Sequence, residues 1–139
     1  MATLQELVDD HYRGLNSHDL EQATAPFSDD VSVLLPTGAF EGIEGLRAAM
    51  NAFFTAFPDL AVTPRSLVND GSAAMAERTL AGTQDGPLAM GDGEVPPSGR
   101  KVSIPIVDTF VYRDGRIVQH NVYWDNLALM TQLGLMPDT

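Results

Sequence analysis

The stretch that most constrains this chain is residues 100–126, which reads as two β-strands joined by a tight turn at residues 113–115. An Asp-Gly pair between two runs of alternating apolar residues is a strong short-range signal for a β-hairpin. Two ionisable residues, Asp108 and His120, lie among the apolar residues of these strands. Because a buried ionisable group without a partner is costly, the hairpin predicts that these two groups serve each other or a ligand.

The turn is compatible with two registers of the hairpin. A two-residue Asp114-Gly115 loop would place Asp108 opposite Asn121. A three-residue loop with a bulge at Gly115 places Asp108 opposite His120. We prefer the second register because it puts one Asp–His pair and five apolar partners on one face. Opposed residues have Cβ atoms roughly 4.5–5.5 Å apart, so we expect a carboxylate–imidazole hydrogen bond that serves either proton transfer or a buried ion pair.

Length and charge limit the classes of function. A chain of 139 residues predicts a single domain over residues 1–139. Its net charge of −11 repels nucleic acid and anionic membrane surfaces, so neither is expected as a partner.

Metal and targeting signals are weak throughout the sequence. The chain has no cysteine, and its three histidines are far from a metal-binding spacing, so no metal site is expected. The first twelve residues are charged and amphipathic rather than leader-like, and no apolar run is long enough to span a membrane. A cytoplasmic location is the expectation.

The order of elements predicts an α+β fold. Helices are expected over residues 3–15, with a Thr3–Glu6 capping box, then over a short segment ending near Pro26, and over residues 43–57. Strands are expected over residues 31–35, 60–70 and 72–84 and in the hairpin, followed by a closing helix capped by Asp125 or Asn126. The Gly- and Pro-rich residues 84–99 predict an irregular lid or binding loop.

Several short motifs carry a family resemblance over nearly the whole chain. They are NSHDL at 16–20, FPDL at 57–60, GT at 82–83, PPSGR at 96–100, DGRIV at 114–118 and QLGL at 132–135. In this order they resemble the SnoaL-like polyketide cyclase branch of the nuclear-transport-factor-2-like superfamily. The resemblance implies a cone-shaped, curved, mostly antiparallel sheet wrapped around three N-terminal helices, a blind apolar pocket and a homodimer.

The resemblance carries over to the catalytic positions only in part. Cyclases of this branch close a ring by an intramolecular aldol step, with an acid/base Asp on the last strand. That position is Val122 here, and the position of a pocket His in those enzymes is Asp108. The family's pair is therefore absent as such, although Asp108 and His120 supply a carboxylate and an imidazole in the same region.

A more distant similarity is to ketosteroid isomerase, in which a Tyr and a protonated Asp donate to an oxyanion. Tyr12 and Asp108 fall at that pair's positions, and Leu35 stands where the family keeps its base. An oxyanion site without a base could bind an enolate but not make one, unless His120 serves as the base.

These signals predict a cofactor-independent cyclase or isomerase that acts on an apolar, carbonyl-bearing substrate such as a polyketide or a steroid-like ring. The catalytic candidates are Asp108, His120 and Tyr12. The substrate-binding candidates are Trp124, Val122, Ile106, Phe110, Leu35, Phe54, Met50 and, if residues 75, 77 and 79 face inward, Glu77.

Two alternatives remain open. A non-catalytic small-molecule-binding module of the same fold is favoured by the apolar Val122 and Leu35. An epoxide hydrolase of the limonene-epoxide-hydrolase type needs an Asp–Arg–Asp arrangement, and therefore needs Arg78 to face inward. Strand alternation places Arg78 on the face opposite to Glu77.

Overall fold

The helices begin close to where the sequence predicts them, but the closing helix, expected over residues 126–136, already ends at Gln132. The computed structural model describes residues 1–90 and 93–136, and its helices are α1 (Leu4–Ser17), α2 (Leu20–Thr24), α3 (Ile43–Ala56) and α4 (Asn126–Gln132). The capping box forms, since the Thr3 hydroxyl accepts from the Glu6 N–H and the Glu6 carboxylate accepts from the Thr3 N–H. Asp125 caps α4 by accepting from the Ala128 N–H at 3.0 Å.

The strands form a six-stranded sheet and a small separate hairpin. In chain order they are β1 (Phe27–Leu35), β2 (Gly38–Glu41), β3 (Ala61–Asn69), β4 (Ala73–Thr83), β5 (Leu88–Met90), β6 (Gly93–Val95), β7 (Lys101–Arg113) and β8 (Arg116–Trp124). The large sheet has the order β2-β1-β8-β7-β4-β3, in which only β1 and β8 run parallel. This confirms the predicted α+β class with a curved, mostly antiparallel sheet. Strand β2 was not predicted.

One face of the sheet is buried against the helices. Along β7 the even-numbered residues from Val102 to Phe110 are buried, as the period of two in a strand requires. The apolar stripes of α1 and α3 join this face in one core. No helix within the described ranges is both long and apolar enough to cross a membrane.

The β7–β8 hairpin has the two-residue turn and not the preferred three-residue loop. Arg113 pairs with Arg116. The φ angles of Asp114 and Gly115 are 52° and 83°, and a type I′ turn requires positive values at both positions. The bulge lies one step further along, where Val118 is the extra residue of β8.

This combination changes the partner of Asp108. Asp108 pairs with Val122, and His120 pairs with Phe110. The expected direct pairing of Asp108 with His120 is therefore wrong, and so is the alternative pairing with Asn121. Since the shift from the preferred register is two residues, Asp108 and His120 still lie on the same inner face.

Residues 84–99 are more regular than predicted. They contain the antiparallel β5–β6 hairpin, so the expectation of a wholly irregular loop is wrong. The fully buried Gln84 side chain holds the segment together: it donates to the carbonyls of Gly86, Val95 and Pro96 and accepts from the Ser98 hydroxyl.

Candidate active site

A buried carboxylate on β7 is the centre of the polar groups inside the sheet. Asp108 is 0% exposed and accepts two hydrogen bonds from Arg78 on β4, from Nε to Oδ2 at 2.5 Å and from Nη2 to Oδ1 at 3.2 Å. The hydroxyl of Tyr12 on α1 donates to Oδ2 at 2.6 Å. Two neighbouring strands and one helix therefore fix the position of this carboxylate.

The ion pair is charged at neutral pH. Burial alone would raise the pKa of Asp108, but the Arg78 guanidinium, His120 and the hydrogen bonds outweigh it and hold that pKa at about 2. Burial alone would lower the pKa of Arg78, and the Asp108 carboxylate outweighs it and raises that pKa. Asp108 is thus ionised and accepts hydrogen bonds only, which is contrary to the expected protonated oxyanion donor.

His120 stands beside the pair as a neutral base. Its Nδ1 lies 3.3 Å from the Thr109 carbonyl oxygen, and because a carbonyl only accepts, Nδ1 carries the proton. Its Nε2, with a free lone pair, lies 4.0 Å from Asp108 Oδ1, too far for the expected hydrogen bond. Burial lowers the pKa of His120, and nearby Asp108 opposes this shift only in part. The ring stacks on Phe110 at 4.7 Å between centroids.

A second buried histidine belongs to this cluster and was not predicted. His11 donates from Nδ1 to the Ala23 carbonyl at 2.8 Å, and its ring centroid lies 5.5 Å from that of His120. Burial, followed by the repulsion of His120, lowers the pKa of His11 to about 3. The sequence carries a signal for it, since residue 11 falls at helical spacing within the apolar stripe of α1.

A cavity of about 70 Å³ lies next to this cluster. Its polar wall is formed by His11, Arg78 and His120. The rest of the wall is apolar and comes from α1, α3, five strands and the residue before β3: Leu15, Leu35, Leu46, Ala49, Met50, Phe53, Phe54, Leu60, Val62, Leu80, Ile106, Val122 and Trp124. We call this space the inner cavity. Because pockets for organic ligands usually have roughly 300–1,000 Å³, a substrate must widen it.

The predicted substrate-binding residues fall into two groups. Those that line the inner cavity are Leu35, Met50, Phe54, Ile106, Val122 and Trp124. Phe110 does not line it, since it packs behind the His120 ring. Glu77 was placed wrongly: it is exposed on the outer face, where it accepts from the Ser66 hydroxyl at 2.7 Å.

The catalytic candidates converge on one cluster but have different access to the cavity. Of Asp108, His120 and Tyr12, only His120 contributes to the cavity wall. Tyr12 and Asp108 lie behind it and bond to each other, so they do not form an oxyanion hole open to a ligand.

Arg78 is the main functional candidate that sequence reasoning missed. It faces inward with Ala74, Ala76 and Leu80, the residues at period two on the buried side of β4. Two of its five N–H groups bond to Asp108. Arg78 also lines the inner cavity, where a ligand oxygen could accept from a guanidinium N–H that Asp108 does not use.

The geometry that an epoxide hydrolase needs is formed only in part. Arg78 does face inward beside Asp108. However, no carboxylate lines the inner cavity among residues 1–90 and 93–136. Across the same ranges, no group of three His, Cys, Asp or Glu side chains is placed to hold a metal ion.

Comparison with known proteins agrees with this architecture. A family model described as SnoaL-like polyketide cyclase matches residues 3–133. TsrD from Streptomyces laurentii is 32% identical with a TM-score of 0.82, over 96% of each chain. A candidate SnoaL-like polyketide cyclase from Jannaschia sp. CCS1 is 28% identical with a TM-score of 0.82, over 96% of this chain and 92% of that one.

A further solved structure extends this agreement. IdmH, a candidate polyketide cyclase from Streptomyces antibioticus, is 27% identical with a TM-score of 0.76, over 94% of this chain and 97% of that one. A search among curated proteins gives no match.

Proposed function

The chain belongs to the SnoaL-like polyketide cyclase family, and on that premise we propose that it is a cofactor-independent acid–base enzyme acting on an apolar, carbonyl-bearing ring precursor. One observation carries the proposal. A neutral imidazole, His120, and a charged guanidinium, Arg78, face the same apolar cavity, and both lie within 4.0 Å of one buried carboxylate. A base and a cation on one wall are what enolate formation requires.

In the first step His120 Nε2 removes a proton from the carbon next to a substrate carbonyl. The electron pair of the broken C–H bond moves onto the carbonyl oxygen, and Arg78 donates to that oxygen. The imidazolium is stabilised by Asp108, which positions both groups without touching the substrate. Such electrostatic support is strong where water is excluded.

In the second step the enolate carbon attacks another carbonyl of the same molecule and a C–C bond forms. The new alkoxide takes the proton back from His120, so the enzyme is regenerated and all atoms are retained. If the proton returns instead to a different carbon, the same groups perform an isomerisation.

The experiment measures the first step alone. The probe is 2-tetralone, a fused bicyclic ketone, and NMR follows deuterium uptake at its benzylic α-carbon in D2O. We expect the wild type to accelerate exchange and His120→Gln to lose about 10²-fold, the lower end of general-base contributions. Gln119→Ala is the matched control, because Gln119 precedes His120 on β8 but is exposed. Equal rates for wild type and His120→Gln would overturn the proposal.

A second candidate function is a non-catalytic binding module. It is supported by Val122 and Leu35, which line the inner cavity at the positions where relatives are expected to keep acids. The same experiment separates the two functions. Binding of 2-tetralone without any accelerated exchange would favour the module.

A further inference from the structure

A second cavity, of about 100 Å³, lies on the far side of part of the inner cavity wall. We call it the outer cavity. It is partly open to solvent and is lined by residues of α3, β5, α4 and the ends of β1 and β8. Its lining residues are Leu35, Thr37, Ala49, Ala52, Phe53, Leu88, Ala89, Trp124, Asn126 and Leu129.

Four side chains line both cavities and so form the partition between them: Leu35, Ala49, Phe53 and Trp124. Two of these are large rings in edge-to-face contact, with 6.0 Å between the centroids of Phe53 and Trp124 and an angle of 83°. Both rings are half-buried, and Trp124 is held by a hydrogen bond from Nε1 to Asn126 Oδ1 at 3.1 Å. These two rings lie in the shared wall, and aromatic side chains can change rotamer.

The two cavities differ in polarity. The inner cavity has its charged and imidazole groups at one end, at Arg78, His11 and His120. The outer cavity has an apolar floor at Leu88 and Leu129, with polar side chains only at Thr37 and Asn126. Joined end to end, they match a molecule with a carbonyl-bearing head and an apolar extension.

We propose that the outer cavity is a second substrate subsite, which takes the apolar extension of the molecule whose carbonyl lies against Arg78 and His120. Phe53 and Trp124 turn aside to join the two spaces. The inference rests on the proposed function for the identity of the head group. It explains how a cavity of about 70 Å³ accommodates a substrate larger than itself.

The experiment compares two probes with one head. These are 2-hydroxy-1,4-naphthoquinone, whose ionised form resembles an enolate, and its 3-(3-methylbut-2-enyl) derivative, which adds an apolar tail. Calorimetry gives the dissociation constant of each for the wild type, Ala52→Phe and Ala89→Phe. Ala52 on α3 and Ala89 on β5 line the outer cavity and do not line the inner one. Ala48→Phe is the matched control, since Ala48 is exposed on α3.

We expect the tailed quinone to bind the wild type at least tenfold more tightly than the untailed one. Each filling variant should abolish that preference and leave the untailed quinone within twofold of wild type, and Ala48→Phe should change neither. If the wild type does not prefer the tailed probe, or if both filling variants keep the preference, the subsite is refuted. Should one filling variant fail to fold, the other decides.

Failure of this proposal is distinguishable from failure of the proposed function. The binding series is repeated with His120→Gln, which lacks the proposed base but keeps the partition. Retention of the tail preference in that variant supports the subsite whether or not the wild type exchanges the protons of 2-tetralone.

Discussion

Arg78 and Asp108 form a two-point ion pair across neighbouring strands, with the guanidinium Nε and Nη2 each donating to a different oxygen of the carboxylate. Arg78 comes from β4, Asp108 from β7, and both are buried on the inner face of the sheet. A pair of this kind couples the stability of the fold to the chemistry proposed at the cavity wall, because removing one partner leaves the other buried and charged.

Removing Arg78 alone should be far more harmful than removing the pair. We expect Arg78→Met to lower the free energy of unfolding by about 3–5 kcal/mol, since it leaves Asp108 unpaired in the core. The double variant Arg78→Met/Asp108→Leu should recover most of that loss. Urea unfolding measures Arg78→Met, Asp108→Leu and the double variant. The control is the exposed Arg13–Asp10 pair, whose removal should leave the unfolding midpoint nearly unchanged. Additive losses in the double variant would contradict the coupling.

Acid should destabilise the protein through His11. Its pKa is about 3 when folded and returns toward 6.5 on unfolding, so between these pH values the unfolded chain binds a proton that the folded chain does not. Stability is therefore lost as the pH falls from 6.5, by about 1.4 kcal/mol per pH unit for this proton. Asp108 adds a loss in the same direction below pH 3.8, as its folded pKa is about 2.

Chemical denaturation at a series of pH values tests this expectation. In His11→Gln, the free energy of unfolding should depend less steeply on pH between pH 6.5 and 4. The decrease in slope should correspond to about one proton fewer taken up on unfolding. Part of the pH dependence should remain in this variant, because the pKa of His120 is also lowered in the folded state. A variant slope as steep as that of the wild type would show that His11 is protonated in the folded state.

Tyr12 should behave as a positioning residue. Its hydroxyl bonds to a charged carboxylate, so Tyr12→Phe should cost about 2 kcal/mol of stability, in the range for hydrogen bonds to charged groups. Exchange of 2-tetralone should fall less than tenfold, because the phenol does not line the cavity. Tyr112→Phe is the control, since its hydroxyl donates to the neutral Ala2 carbonyl and should cost less. A hundredfold loss of exchange in Tyr12→Phe would instead make Tyr12 a catalytic group.

We expect the protein to form a homodimer through the outer face of its sheet. Three exposed apolar side chains, Leu34, Met75 and Val68, lie in one line across the strands of that face, because they are joined through successive cross-strand partners. The exposed Tyr123 lies in the neighbouring line. Apolar patches of this kind commonly mark protein interfaces. We propose that a second copy covers it, and sedimentation velocity should show Met75→Glu as a monomer. Leu127→Glu, which changes an exposed residue on α4, is the control and should remain a dimer. A monomeric wild type would refute the proposal.

The helices and the inner face could be read from the sequence because their signals are local. The capping residues Thr3 and Asp125 bond to backbone groups three residues away, so they mark helix starts by themselves. The shared face of Asp108 and His120 was predicted correctly from the wrong turn, because the bulge at Val118 restores the parity that the two-residue turn alone would reverse.

The predictions that were wrong depended on contacts between distant residues, which the local sequence pattern does not encode. The bulge at Val118 adds one residue to β8, and no residue type in the sequence marks it. The partner of Asp108 could therefore not be found by counting residues from the turn. Strand β4 carries Glu77 and Arg78 side by side, and alternation alone cannot say which of them faces inward. The decision comes from Asp108 on the neighbouring strand, which gives the arginine a partner in the core.

Trp124 gives the protein a spectroscopic property of its own. It is the chain's single tryptophan, and its indole forms part of the partition that both cavities share. Indole emission therefore comes from one site only, and it should change in intensity and colour whenever a compound enters either space or displaces the ring. The unlabelled protein can thus be screened by fluorescence against collections of small aromatic ketones.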